Sequence, residues 1–262
     1  FSWASGWQVA PPSFWVGVRA LCDRYGLLLV ADEIVTGFGR TGAWFGVEHW
    51  GGACADMLVV GKGFTAGYFP YGAVVVHRRL EGAFCGGNLL MHGHTNCGHP
   101  VGCRAALAVI DQVEAESLVA NVEARGEQLR GLLRALQPHC AIVGDVRGRG
   151  LLVAVELVSD QASKRPLEAH RLPRIVSRAA RNGLRLRAIN EATIGLNPAS
   201  IVTAAEVRLL VRLLAQTLAD LKYLPQERVP GAEEPFASPA VPLVPPALLA
   251  ASSVSLAGTG SV

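Results

Sequence analysis

An amine and a carboxylate stand at the ends of two short apolar runs. Leu27-Leu28-Leu29-Val30-Ala31 leads into Asp32-Glu33, and Met57-Leu58-Val59-Val60 leads into Gly61-Lys62. Short apolar runs bounded by turn residues read as fully buried parallel strands. In open α/β sheets ligands bind outside the carboxyl ends of such strands, so Asp32 and Lys62 can face one ligand. Pyridoxal phosphate (PLP) suits that pair. A lysine forms a Schiff base with its aldehyde, and an acid pairs with the protonated pyridine nitrogen, keeping the ring an electron sink. The competing reading is a salt bridge that caps two strand ends. On the pair alone, that bland reading is preferred.

Other polar residues have two readings each. His92, His94, Cys97, His99 and Cys103 have a metal-like composition, but their spacing matches no usual zinc pattern, so no metal site is expected. Arg40, in Gly39-Arg40-Thr41-Gly42, reads as a loop arginine rather than a substrate contact. Arg147 and Arg149 flank glycines in a hairpin-like turn, where a solvated or domain-interface role is the default. Trp44 and Phe45 line a pocket or simply pack. Glu48 and His49 form a proton relay or pack behind the site.

The elements that must position these residues follow from pattern. Pro11-Pro12-Ser13 opens a helix over Val16–Tyr25, stopped by Gly26. Three apolar runs, 27–31, 57–60 and Ala73–Val76, make an α/β core with a mostly parallel sheet. A Gly/His-rich loop (86–98) leads into one long helix from Pro100 to Leu136. Two strands follow, Ala141–Val146 and Leu151–Val158, joined by Arg147-Gly148-Arg149-Gly150. Then come a helix near Arg174–Asn182, strands Leu184–Arg187 and Thr193–Leu196, and a last amphipathic helix, Ala204–Leu221. Three parts result: 1–105, 106–224 as a smaller α/β domain with its linking helix, and 225–262. The last part is Pro/Ala-rich and reads as a disordered tail.

Composition narrows the classes. The chain has 262 residues, 50% hydrophobic and 17% charged, which excludes wholesale disorder. A net charge of +3 with no block of five or more like charges gives no footprint for nucleic acid. Prolines interrupt the apolar tail, so no membrane span is expected. Six scattered cysteines without a C-x-x-C pair argue against a disulfide scaffold and for a reducing, cytoplasmic setting. No signal peptide is expected from Phe1–Val9. The chain does not begin with Met and reads as a fragment or processed product.

A longer set of segments carries a resemblance. Leu21-Cys22-Asp23-Arg24-Tyr25-Gly26 comes first, then Ala31-Asp32-Glu33-Ile34-Val35-Thr36-Gly37-Phe38-Gly39-Arg40-Thr41-Gly42. Gly61-Lys62-Gly63, Gly67-Tyr68-Phe69-Pro70-Tyr71-Gly72, His92-Gly93-His94-Thr95 and Val146-Arg147-Gly148-Arg149-Gly150-Leu151 follow in order. From about Ala10 to about Leu221 the chain resembles the class III PLP-dependent aminotransferases, including the omega-amino-acid:pyruvate transaminases. The resemblance implies an α/β chain of PLP-dependent transferase fold type I. It would comprise a partial large domain with a mostly parallel sheet and a small C-terminal α/β domain.

It also implies roles. Lys62 falls on the Schiff-base lysine and Asp32 on the pyridine-nitrogen partner. Ile34 falls on the aliphatic residue that packs on the ring. Val35 sits where many members have a glutamine that meets the phenolic oxygen. Thr95 falls on the residue that donates to the cofactor phosphate across a homodimer interface, which makes the active site shared. Arg187 aligns with the arginine that receives a substrate carboxylate, although Ala188–Ala192 diverge. The implied reaction moves an amino group from an amine or omega-amino acid to a keto acid such as pyruvate. The resemblance further implies a long segment before Pro11-Pro12 that supplies a phosphate-binding turn and a ring-stacking aromatic. Without it, the alternative is a non-catalytic or partial aminotransferase fragment, at most a dimerisation module.

Overall fold

The computed structural model describes residues 2, 4–51, 55–88, 90–225 and 228–229. The tail expected from residue 225 lies, but for Pro225 and 228–229, outside the described residues. Helix α1 (Pro12–Tyr25) starts on a proline, whose missing N–H costs nothing in a first turn. It ends at Gly26, which adopts φ 64, while Leu27 N donates back to Cys22 O.

Strands β1 (Val30–Asp32), β2 (Met57–Val60) and β3 (Ala73–Val76) form one sheet in that order. β1 and β2 are parallel, with Asp32 opposite Val59. β3 runs antiparallel to β2. The sheet is therefore mixed, which corrects the expectation of a mostly parallel one. The physical reason is the connection 61–72. It carries only a short 3-10 turn, and a parallel return calls for a longer crossover, usually a helix. The expectation of full burial also fails. Cys22 of α1 packs with Leu29, Ala31 and Ala55 on one face, yet Val30 and Val75 are about half exposed, at 49% and 51%.

The helix expected over 100–136 is two helices, α2 (Pro100–Ala115) and α3 (Leu118–Leu136). Ser117 breaks them with a left-handed φ of 52. Strands β4 (Val143–Arg149) and β5 (Leu152–Asp160) form an antiparallel hairpin. A second sheet runs β4-β5-β8-β7, with β7 (Arg187–Asn190) and β8 (Thr193–Leu196), and β6 (Arg165–Pro166) pairing off β5. Helices α4 (Leu172–Arg181) and α5 (Ala204–Asp220) complete this part. Thr203 and Glu206 cap α5 reciprocally.

β5 is buried on both faces. Val153, Val155 and Leu157 join the main core with residues of α3, α4 and α5. Leu152 and Ala154 face the other way, onto Trp7, Val35 and Ile189. The strand expected over Leu184–Arg187 starts only at Arg187. Gly183 turns at φ 84 and Leu184 N donates to Ala179 O, so these residues finish α4 instead of entering the ladder.

Candidate active site

β1 and β2 deliver Asp32 and Lys62 to the same end of a parallel pair. Neighbouring residues of a strand point to opposite faces, and the pair Asp32-Glu33 is divided in that way. Asp32 is exposed, and its Oδ1 accepts from Ile34 N at 3.0 Å, which turns the chain out of the strand. Glu33 is 2% exposed. Its carboxylate accepts from Gly46 N and Val47 N, each at 2.8 Å, and from the Thr36 hydroxyl. One buried acid thereby ties down both ends of the loop 34–47. Sequence reading passed over Glu33, and its adjacency to Asp32 at a strand end was the available signal.

Lys62 is exposed and opens the 3-10 turn Lys62–Thr65 with a left-handed φ of 44. The turn is braced from below. Thr65 Oγ1 donates to Phe69 O at 2.6 Å. Phe64 stacks between Phe38, 5.1 Å away, and Tyr71, 5.9 Å away. A Cβ added at Gly61 would lie 3.6 Å from Ile34 Cγ2, which places the Ile34 side chain beside the Lys62 turn. Asp32, Ile34 and Lys62 are thus gathered at one sheet end.

The opposite end of the pair is fastened by Asp56, which is buried. It accepts from Leu29 N at 2.7 Å, from Arg19 at 3.0 Å and from Arg79 Nε at 2.7 Å. Burial alone would raise its carboxyl, but the Leu29 amide and the two guanidiniums win and hold it down at about 2. Asp56 is a second residue that sequence reading did not single out. An acid just before an apolar run gives little signal of this kind.

The remaining expected residues lie further out. Val35 is half-buried against the Trp7, Leu152 and Ala154 cluster. Arg187 is exposed at the start of edge strand β7, opposite Gly195 of β8. Ile189, two residues on, packs on that same cluster. Thr95 is exposed in the loop before α2. Its neighbours His94, Asn96 and Cys97, with Phe69–Ala73, line a cavity of about 540 Å³. Among the described residues no hydrogen bond joins Thr95 to Asp32 or Lys62.

Arg40 donates to Pro198 O at 2.5 Å, and Leu151 N donates to Arg40 O. Burial pushes the Arg40 guanidinium down. It fastens the loop to the second sheet. His49 Nε2 sits 3.0 Å from the Thr41 hydroxyl and 3.1 Å from its carbonyl, while Glu48 is exposed. Burial, then the Arg149 charge, lowers the His49 imidazole. Phe45 packs edge-on against Phe38. His99 accepts from Val101 N to cap α2, and Cys103 Sγ lies 3.2 Å from the Tyr71 hydroxyl.

The donor set fits PLP. An exposed amine and an exposed carboxylate share one strand-end surface, with an aliphatic side chain beside the amine's turn. Asp32 Oδ1 serves the backbone, and no hydrogen bond among the described residues engages Oδ2. No helix among the described residues is long and apolar enough to cross a membrane.

Comparison with known proteins agrees with this chemistry. The model of the family described as aminotransferase class-III matches residues 3–218. The adenosylmethionine-8-amino-7-oxononanoate aminotransferase of Staphylococcus aureus is 37% identical over 222 residues, covering 83% of this chain and 48% of that protein. The taurine–pyruvate aminotransferase of Rhodobacter capsulatus is 36% identical over 216 residues, covering 78% of this chain and 47% of that protein. The crystal structure of a PLP-bound amine transaminase from an uncultivated Pseudomonas species superposes with a TM-score of 0.78 at 43% identity. That match covers 83% of this chain and 50% of the other. The chain spans about half the length of the curated relatives it matches.

Proposed function

The chain belongs to the class III aminotransferases, whose cofactor is PLP, and from that premise we propose that it carries the lysine and acid half of a transaminase site. The proposed reaction moves an amino group from an amine or omega-amino acid to a keto acid such as pyruvate. The juxtaposition of Asp32 and Lys62 at the ends of the parallel pair β1–β2 carries this reading. The taurine and pyruvate named for one relative support an omega-amino donor and that acceptor.

When bound, PLP supplies an aldehyde that takes up amino groups and a ring that accepts the electron pair left by a departing α-proton. Lys62 Nζ holds the cofactor covalently. As a free amine, Nζ would be the base that takes up a proton from one carbon and hands it to another. Asp32 accepts from the ring N–H and keeps that nitrogen protonated. Ile34 offers the ring an apolar wall. Val35, an aliphatic residue, would bring no hydrogen-bond donor to the cofactor's phenolic oxygen. Thr95 donates to the cofactor phosphate of a second copy, so the working unit is a homodimer. Arg187 grips the keto acid carboxylate with two parallel N–H donors. Residues 1–105 serve the cofactor, and residues 106–224 form the smaller domain that brings Arg187.

The chain has three lysines, Lys62, Lys164 and Lys222, which gives the test its own control. The protein is mixed with PLP, reduced with borohydride and mapped by mass spectrometry. We expect the reduced adduct on Lys62 and its loss in Lys62→Ala. Equal labelling of Lys164 and Lys222 would overturn the reading and leave a non-catalytic fragment.

A further inference from the structure

We propose that the cavity between α3 and β4 is a binding site for a small oxyanion, either a carboxylate or a phosphate. The cavity measures about 490 Å³ and lies among Arg130, Arg134, Arg147, Arg149, Glu127 and Asp145. None of its lining residues belongs to the Lys62 site, so the inference does not rest on the transaminase reading.

The hydrogen bonds divide the four arginines into two kinds. Arg130 is buried and committed. It donates to Glu127 at 2.5 Å and to Gly150 O at 3.0 Å. Arg147 is committed as well. It donates to Gly6 O at 2.7 Å, to Asp145 at 3.0 Å, to Ser5 O at 3.2 Å and to Glu156. Each of the two acids lining the cavity is thus already paired with one of these arginines.

Arg134 and Arg149 have no such partners. Neither side chain makes a hydrogen bond or an ion pair among the described residues, and the Nε of Arg149 is buried without an acceptor. A buried donor without a partner has given up water and gained nothing in return. His49 senses the same charge, since Arg149 helps to depress its imidazole. Two guanidiniums facing one cavity, with the local carboxylates already engaged, match an oxyanion that accepts paired N–H bonds.

The test titrates the full chain with inorganic phosphate and with succinate at constant ionic strength, followed by calorimetry. Arg134→Gln, Arg149→Gln and Arg187→Gln are titrated alongside. Arg134 is exposed on α3, so its variant stays folded even if Arg149→Gln does not. We expect at least one probe to bind, with affinity falling about tenfold or more in Arg134→Gln and Arg149→Gln and holding in Arg187→Gln. Phosphate binding alone would assign phosphate esters, and succinate alone would assign dicarboxylates. Binding of neither probe overturns the proposal. So does binding that is unchanged in both cavity variants, or lost only in Arg187→Gln.

Discussion

Two sheets in this chain are covered in opposite ways. The second sheet is enclosed: β5 is buried on one face by α3, α4 and α5 and on the other by Trp7, Val35 and Ile189. The first sheet, which carries Asp32 and Lys62, has one face under α1, while Val30, Val74 and Val75 stay exposed. The apolar character of the strands is similar. The difference lies in the covering layers: residues of α3, α4 and α5 pack on the second sheet, and α1 packs on one face of the first. Hydrophobic runs state a demand for burial, and the rest of the fold must meet it.

The largest expected effect contrasts the two sheets directly. Leu157 on β5 is fully buried, and Leu157→Ala leaves a cavity in the main core. We expect a loss of about 3 kcal/mol in urea denaturation. Val75 on β3 is 51% exposed, and Val75→Ala should change stability by no more than about 0.5 kcal/mol. A comparable loss from both would mean that the open face of β3 is covered in solution, and the contrast would collapse.

An intermediate effect concerns pH. Asp56 holds β1, β2, Arg19 and Arg79 together and ionises at about 2, below its ordinary value of 3.8. A carboxyl depressed on folding contributes stability that is present above its unfolded value. The contribution is lost as pH falls from there towards the folded value. The first sheet should therefore weaken between about pH 4 and pH 2. Asp56→Asn should cost about 2 kcal/mol at neutral pH and flatten that acid limb. Glu206, which accepts from the Thr203 amide and hydroxyl, is lowered as well, but on the second sheet's side. A limb unchanged in Asp56→Asn would assign the acid sensitivity to that side.

Legibility from sequence cut across that divide and followed local signals instead. β2, β3 and β8 were read with their observed limits, and α5 with its observed start at Ala204. Turn residues and a capping box mark these limits locally. The break at Ser117 was not legible, because Ala115-Glu116-Ser117 contains no glycine or proline and charged residues continue through it. The start of β7 was misplaced because Leu184 and Leu186 are buried in the main core beyond α4, which looks like strand burial from sequence. At the candidate site, Asp32, Ile34 and Lys62 stand together, since strand ends collect residues by simple topology. Glu33 and Asp56 escaped notice because their partners are backbone amides and arginines distant in sequence.

The smallest expected effect lies within the turn that presents the candidate lysine. Lys62 has a φ of 44, in the left-handed region where a Cβ crowds the backbone. Its neighbours Gly61 and Gly63 could have taken that conformation at no cost, yet the strain falls on the residue that bears the amine. Sparsely populated backbone held at a reactive position must be imposed by its surroundings. Here Phe38, Tyr71 and the Thr65 to Phe69 hydrogen bond supply that constraint. Both Lys62→Ala and Lys62→Gly delete the amine, but only the glycine relieves the turn. We expect Lys62→Gly to be more stable than Lys62→Ala by about 1 kcal/mol in urea denaturation. The paired substitution Arg185→Gly against Arg185→Ala, at an exposed position on the second sheet's side that has no positive φ, should show no such gain. Equal stability of the two Lys62 variants would mean that the turn relaxes once the lysine is gone, and that the side chain itself holds the strained backbone.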